Sequence, residues 1–187
     1  MENKIIMLKG PTACGKTDHA SKLVKNHPLE IISVDSVMVY KGLDIGSAKP
    51  TSEELKLCPH HLIDVCEPTE NYSAGEFYQD VQRVIQSIIR KGKIPFLVGG
   101  TMMYFRVLEQ GISQLPSANP TVRNQIDSEA AANGWAKLHQ ELQRIDLTAA
   151  KKIDPSDKQR IQRALEVHRI TGKPISSFHG ERKQPID

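Results

Sequence analysis

The chain carries near its start the stretch Gly10-Pro11-Thr12-Ala13-Cys14-Gly15-Lys16-Thr17, which has the G-x-x-x-x-G-K-T spacing of a phosphate-binding loop. Its glycines let backbone N–H groups turn around phosphate oxygens, and Lys16 adds a positive charge near the terminal phosphate. The Thr17 hydroxyl is placed to hold Mg²⁺, and the helix expected after it directs its positive end at the anion. The stretch therefore predicts a site for a nucleotide or another diphosphate.

The residues around this loop predict the strand, loop and helix in which such loops occur. The run Ile5-Ile6-Met7-Leu8 is short and apolar, as expected for a parallel strand that is buried on both faces. A helical segment over 18–26 follows the loop. This arrangement disfavours the alternative, an ordinary glycine turn whose lysine and threonine face solvent.

The composition is that of a globular protein with one core and an appended lobe. Of 187 residues, 39% are hydrophobic and 25% are charged, and the net charge of +3 is too small by itself to indicate nucleic acid. No apolar run approaches the ~18 residues of a membrane span. Because the first residues lead directly into a strand, we expect no signal peptide. Three cysteines without C-x-x-C spacing favour a reducing compartment.

Further strands are expected over 30–34, 59–66 and 94–98. Asp35 directly follows the first of these. Ligands of an open parallel sheet bind beyond the carboxyl ends of its strands, so we expect Asp35 near the phosphates. Its position leaves three roles open: a ligand of Mg²⁺, an acceptor of a substrate proton, or the cap of a turn. The segment 37–46 is expected to form an ordered active-site loop.

A second glycine pair, Gly99-Gly100, follows the strand over 94–98 and precedes Thr101 and a helical run. This pattern favours another anion-binding edge. Thr101 either donates its hydroxyl to a phosphate oxygen there or caps the helix.

Two other local patterns bear on the core. A capping box at Ser73 opens a helix whose apolar face comprises Phe77, Val81, Val84, Ile85, Ile88 and Ile89. Four residues of types that bind metals lie close together in the sequence: Cys58, His60, His61 and Cys66. Their spacing is not that of a common zinc site, so we expect the two histidines to pack and to form hydrogen bonds.

Strand signals stop at residue 115, and helices are expected over 121–133, 135–146, 148–153 and 156–171. Between Arg144 and Lys173 there are eight Lys or Arg against four Asp or Glu. Arg160 and Arg163, three residues apart on one helix, can meet a phosphate backbone together, although a solvated helix face is the alternative. We therefore expect a phosphate-loop α/β core over 1–114 and a helical lobe over 115–187.

Together these stretches resemble the tRNA dimethylallyltransferase family, also called tRNA isopentenyltransferases. The resemblance rests on residues in family order over essentially the whole chain: 10–17, 35–36, Tyr40, 42–46, 48–50, 59–64, 72–74, 97–101, Tyr104, 115–116, Arg123, 159–160 and 163–166. It implies a P-loop NTPase-like α/β fold, with a parallel sheet flanked by helices and an attached all-helical lobe. Family members continue well past Asp187, so the chain resembles the amino-terminal part of such an enzyme.

The resemblance implies transfer of a dimethylallyl group from dimethylallyl diphosphate to N6 of the adenosine next to the anticodon in tRNA, with release of pyrophosphate. Asp35 matches the family's catalytic aspartate, which accepts the proton of the amine. Thr101 matches a residue at the reacting centre. Lys16, the loop amides and a Thr17-bound Mg²⁺ would stabilise the departing pyrophosphate. The target base must leave its stack to reach such a site.

The resemblance also implies partners. The positions that match tRNA contacts are Asp35, Ser36, Val37, Met38, Thr101, Arg123, Gln159, Arg160, Ile161, Gln162 and Arg163. Two residues depart from the family: Cys14 stands where serine is common and adds a thiol that alkylation would reach, and Met38 stands where many members have glutamine. The expected partners are tRNA, dimethylallyl diphosphate and Mg²⁺, and no membrane is expected. The protein is expected to be a cytoplasmic monomer.

Two other functions fit parts of the sequence. A small-molecule kinase that uses ATP has the same loop, because the loop recognises a diphosphate rather than a base, and Arg160 or Arg163 would then close over the γ-phosphate. A non-catalytic tRNA-binding fragment would keep salt-dependent affinity without turnover. The family stretches after Asp35 disfavour the kinase. The change Asp35→Ala separates the enzyme from the binding module, because only the enzyme would lose its function.

Overall fold

The computed structural model describes residues 4–180 and Ile186, so the first three residues and the end of the predicted lobe lie outside the described part. The chain divides into two compact units. Of the described residues, the first unit comprises 4–112 and Ile186, and the second comprises 113–180.

The first unit is built on a parallel sheet with the strand order β1-β4-β2-β3. Its strands are β1 (Ile6–Lys9), β2 (Leu29–Val34), β3 (His60–His61) and β4 (Ile94–Gly99). Its helices are α1 (Lys16–Asn26), α2 (Ser52–Leu57), α3 (Ala74–Arg90) and α4 (Met102–Gln110). The phosphate loop connects β1 to α1, which confirms the prediction of a P-loop NTPase-like α/β fold.

Alternating residues of β2 and β4 face two apolar clusters, one on each side of the sheet. Ile31 and Phe96 pack with Ala20 of α1, whereas Ile32 and Leu97 pack with residues of α3 and α4. The predicted apolar face of α3 is confirmed, since Phe77, Val81, Ile85 and Ile88 are all buried. The capping box at Ser73 is confirmed by both of its hydrogen bonds.

Two strands differ from their predictions. The prediction that the first strand is buried on both faces was wrong, because β1 lies at the edge of the sheet and Ile6 is 41% exposed. The strand predicted over 59–66 is limited to His60–His61. Leu62 and Asp64 have φ angles of 63° and 55°, and this left-handed backbone ends the strand.

The elements of regular secondary structure in the described part of the second unit are all helices. The unit contains α5 (Pro120–Asn133), α6 (Trp135–Ile145), α7 (Leu147–Ala150), α8 (Lys158–Thr171) and a 3₁₀ helix (Ile175–Gly180). Its core is formed by apolar residues of α5, α6 and α8, including Ile126, Leu138, Leu142, Ile161 and Leu165. None of the described helices in either unit is long and apolar enough to cross a membrane.

Candidate functional site

The phosphate loop turns sharply into α1. Gly15 has a φ of 81° and Ala13 a φ of 64°, and this left-handed backbone turns successive N–H groups toward the start of the helix. The Lys16 ammonium donates to the carbonyl oxygen of Pro11 and lies 3.6 Å from Cys14 Sγ. The loop and the helix dipole thus form a site suited to an anion, with a positive charge beside it.

The carboxyl ends of three strands meet beside this loop. Gly10 N donates to Gly99 O at 3.3 Å, and Thr101 N donates to Val34 O at 3.2 Å. A Cβ on Gly99 would lie 2.0 Å from Val34 O, so only glycine permits this approach of β4 to β2. The phosphate loop and Asp35 therefore share the carboxyl edge of the sheet, with the end of β4 between them.

A cavity of about 420 Å³ opens at this edge. Predicted site residues that line it are Thr12, Ala13, Gly15, Lys16, Thr17, Asp35, Val37 and Met38. Other parts of the lining are Gly46, Ser47, Ala48, Pro50 and His60 of β3. The structure thus brings the phosphate loop, the predicted catalytic carboxylate and the start of the active-site loop together around one space.

Asp35 caps the turn that follows β2. Its Oδ1 accepts hydrogen bonds from Val37 N at 2.8 Å and from Met38 N at 3.2 Å. The capping role that position left open is therefore present. These bonds use Oδ1 alone, so the cap fixes the carboxylate at the cavity wall while Oδ2 can serve a substrate.

Thr101 joins the ends of β4 and β2. It occupies the N-cap position of α4 without a capping hydrogen bond, so the interpretation of its hydroxyl as a helix cap was wrong. Its Oγ1 instead accepts from Ser36 N at 3.0 Å and donates to Ser36 Oγ at 3.3 Å. The hydroxyl of Thr101 is thereby held next to the residue that follows Asp35.

Sequence reasoning missed the role of Lys49. Its side chain is only 3% exposed, and its Nζ donates to Tyr40 O, Asp44 Oδ1 and Asp64 Oδ1 at 2.7–2.9 Å. Burial lowers the pKa of Lys49, but the two carboxylates outweigh burial, so the pKa is raised above its usual value. No local pattern indicated this contact, because the acceptors become neighbours only when the chain folds.

The paired histidines take part in hydrogen bonds, as predicted. The ring nitrogen Nδ1 of His60 lies 2.6 Å from Cys58 O and must be its donor, because a carbonyl only accepts. Burial is the main cause that lowers the pKa of His60. His61 Nε2 bonds to Glu30 at 2.8 Å. Among the described residues, no group of three His, Cys, Asp or Glu side chains could hold a metal ion.

In the second unit, two predicted tRNA-contacting arginines bind a buried carboxylate. Glu166 is fully buried and accepts from Arg123 Nε at 2.9 Å, from Arg163 Nη1 at 2.5 Å and from Asn119 N at 2.7 Å. Burial raises the pKa of Glu166, but these donors outweigh it and hold the pKa below its usual range. Arg123, Arg163 and Glu166 are called the Glu166 cluster below.

The Glu166 cluster changes how the predicted contact surface on α8 is built. Arg163 directs Nη2 to Pro116 O at 2.7 Å, whereas the side chain of Arg160 is 71% exposed. The two arginines therefore do not point together toward solvent. Ile161 is fully buried and offers no side-chain surface, and Gln162 donates to Asp127 at 2.7 Å.

Comparisons with known proteins place these features in context. Residues 38–187 match the family model described as IPP transferase. A tRNA dimethylallyltransferase of Coxiella burnetii (strain RSA 493 / Nine Mile phase I) is 55% identical over 179 residues, which are 96% of this chain and 58% of the relative. That of Thioalkalivibrio sulfidiphilus is 53% identical over 180 residues, 96% of this chain and 56% of the relative.

Solved structures agree. The tRNA isopentenylpyrophosphate transferase of Bacillus halodurans is 40% identical, with a TM-score of 0.58, over 92% of this chain and 57% of that one. A eukaryotic dimethylallyltransferase acting on tRNA is 30% identical, with a TM-score of 0.78, over 97% of this chain and 45% of that one. The chain spans a little over half the length of the curated relatives it matches.

Proposed function

The chain belongs to the IPP transferase family, and on this premise we propose that the whole protein is a tRNA dimethylallyltransferase. It would transfer the dimethylallyl group of dimethylallyl diphosphate to N6 of the adenosine next to the anticodon in tRNA and release pyrophosphate. The observation that carries the proposal is the cavity in which the phosphate loop and the carboxylate of Asp35 line the same space.

The phosphate loop would bind the diphosphate of the donor. Its N–H groups and the start of α1 favour negative charge, which increases on the pyrophosphate as the C1–O bond breaks. Lys16 would exchange its bond with Pro11 O for one with a diphosphate oxygen. Thr17 is exposed in the first turn of α1 and lines the cavity, so its hydroxyl fits a ligand of Mg²⁺. That ion, when bound, neutralises charge on the leaving group.

Asp35 would accept the proton of the attacking amine. As N6 forms a bond with C1 of the allyl group, one N–H bond breaks, and its proton goes to Oδ2, the oxygen not used in the cap. The bond of Thr101 to Ser36 N holds its hydroxyl at the same edge of the sheet, which suits a contact with the leaving diphosphate and the base.

Contacts with tRNA would come from the loop after β2 and from α5 and α8. Val37 and Met38 line the cavity where the base would enter. Arg160 pairs with Asp157 through Nε at 3.4 Å, and its exposed guanidinium would meet a phosphate. Arg123 uses Nε and Nη2 on Glu166 and remains 35% exposed, which leaves Nη1 for a phosphate oxygen. We further propose that the protein is a cytoplasmic monomer. Its phosphate loop would also bind ATP, because the loop recognises a diphosphate.

A binding measurement combined with a transfer assay tests this function. We expect calorimetry with Mg²⁺ to show tighter binding of dimethylallyl diphosphate than of ATP, and labelled dimethylallyl diphosphate to pass its label to tRNA. The same tRNA with guanosine in place of the target adenosine is the matched control, since it lacks the N6 amine. Binding of ATP without binding of the allylic donor would favour the kinase. Binding of tRNA without label transfer would favour the binding module.

A further inference from the structure

Lys49 is a buried cation that the proposed chemistry does not use. Its side chain is 3% exposed, and it binds one backbone carbonyl and two carboxylates. Asp44 and Asp64 are themselves 69% and 43% exposed, so the buried partner in each pair is the lysine. A buried ammonium with three short hydrogen bonds is held in one place, because leaving this buried charge without its acceptors is costly.

Two partners of Lys49 lie in a loop that lines the cavity. Tyr40 and Asp44 lie in the loop 37–48, of which Val37, Met38, Gly46, Ser47 and Ala48 line the cavity. Asp64 lies in the chain after β3. Lys49 therefore ties this loop to the chain that follows the edge strand of the sheet.

Backbone hydrogen bonds join the first part of this loop to the segment after β3, whereas among the described residues none joins its second part, from Gly42 to Ala48, to that segment. Asp64 N donates to Met38 O at 3.1 Å, Val65 N to Val39 O at 2.8 Å, and Lys41 N to Cys66 O at 2.9 Å. In the described structure, Lys49 links this second part to the segment after β3, since its Nζ donates to both Asp44 and Asp64. Gly46, Ser47 and Ala48 lie in the chain between Asp44 and Lys49 itself.

We propose that Lys49 is a positioning residue that fixes the acceptor side of the cavity, the wall of Gly46, Ser47 and Ala48 against which the target base is held. The inference rests on the proposed function. Lys49 donates to no residue of the phosphate loop, so the binding of the donor's diphosphate does not depend on it. Replacement of Lys49 should therefore impair the use of tRNA in a transfer assay without impairing the binding of dimethylallyl diphosphate.

The test compares Lys49→Met with Lys41→Met in the whole protein. Lys41 is a matched control, because it lies in the same loop and pairs with Glu67, but its side chain is 53% exposed. For Lys49→Met we expect the Kd for dimethylallyl diphosphate to stay within about twofold, while kcat/KM for tRNA falls about 10²-fold, as for misplaced reactants. Lys41→Met should behave as the wild type. Lys49→Arg, which keeps the charge and has five N–H donors in a planar group, should recover part of the loss.

A second variant guards against a folding defect. Asp44→Ala removes one anchor at an exposed position, so it should leave the melting temperature unchanged and lower kcat/KM for tRNA by a smaller factor. Equal loss of donor and tRNA binding in Lys49→Met would overturn the inference, as would unchanged kinetics in both Lys49→Met and Asp44→Ala. If the wild-type protein transfers no label, the proposed function itself is refuted, and this result differs from those that overturn only the role of Lys49.

Discussion

The hydroxyl of Thr101 accepts a hydrogen bond from Ser36 N at 3.0 Å, which joins the start of α4 to the residue after Asp35. The two residues are 65 positions apart in the chain. Thr101 N also donates to Val34 O at 3.2 Å, so one residue bonds to both sides of Asp35. Through these bonds, the end of β4 fixes where the proposed catalytic carboxylate lies.

Replacement of Thr101 by valine should reduce transfer much more than stability. The change keeps the shape of the side chain but leaves Ser36 N without its acceptor, which costs about 1 kcal/mol of unfolding free energy. Because the turn after Asp35 then shifts, we expect kcat to fall about 10²-fold. Thr101→Ser, which keeps Oγ, is the control. Denaturant unfolding and transfer kinetics would measure both quantities, and an equal loss of kcat in the two variants would argue against a role for the hydroxyl.

Replacement of Glu166 should destabilise the helical unit strongly. Glu166→Ala leaves Arg123 and Arg163 partly buried without their carboxylate, and breaking a buried ion pair costs about 3–5 kcal/mol. Glu129→Ala is a matched control, since Glu129 also pairs with an arginine but is 44% exposed, and it should cost less than about 1 kcal/mol. Urea unfolding compares the variants. Similar midpoints for the two would show that the Glu166 cluster contributes little to stability.

Stability below neutral pH should depend on Glu30. Burial raises the pKa of Glu30, but bonds from His61, Lys93 and Lys91 outweigh it and lower the pKa from 4.5 to about 2. Because the folded protein then holds this proton less tightly than the unfolded chain, the contribution of Glu30 to stability is complete above pH 4.5 and is lost as the pH falls toward 2.

The measurement for Glu30 is the difference in unfolding free energy between the wild type and Glu30→Gln. We expect this difference to be ~1–2 kcal/mol at pH 6, after allowance for solvent screening, and to shrink at pH 3. Comparison with the variant cancels the titration of the other acids. A difference that is constant between the two pH values would contradict the lowered pKa.

Features that depend on neighbouring residues could be predicted from the sequence. The phosphate loop has a fixed spacing, the capping box joins Ser73 to a residue three positions later, and α3 repeats its apolar residues at the helical period. The placement of Asp35 followed from a rule about parallel sheets. These predictions succeeded because each rests on local backbone geometry or on a general property of the fold.

Features that depend on the tertiary fold were missed. Arg123 and Glu166 are 43 residues apart, so a charged residue at the centre of the helical unit could not be told from one on a solvated face. The three acceptors of Lys49 likewise come from separate segments. The exposure of β1 depends on the strand order, which the hydrophobic pattern of a single strand does not contain.

The most direct test of the central claim is label transfer from dimethylallyl diphosphate to tRNA by Asp35→Asn. Asparagine keeps an Oδ1 that can accept from Val37 N and Met38 N, so the turn and both substrate affinities should be preserved. It removes the group that accepts the proton, and we predict that the transfer rate falls by about 10²–10⁴-fold. A variant that binds both substrates normally and transfers at the wild-type rate would contradict the claim that Asp35 is the proton acceptor of this site.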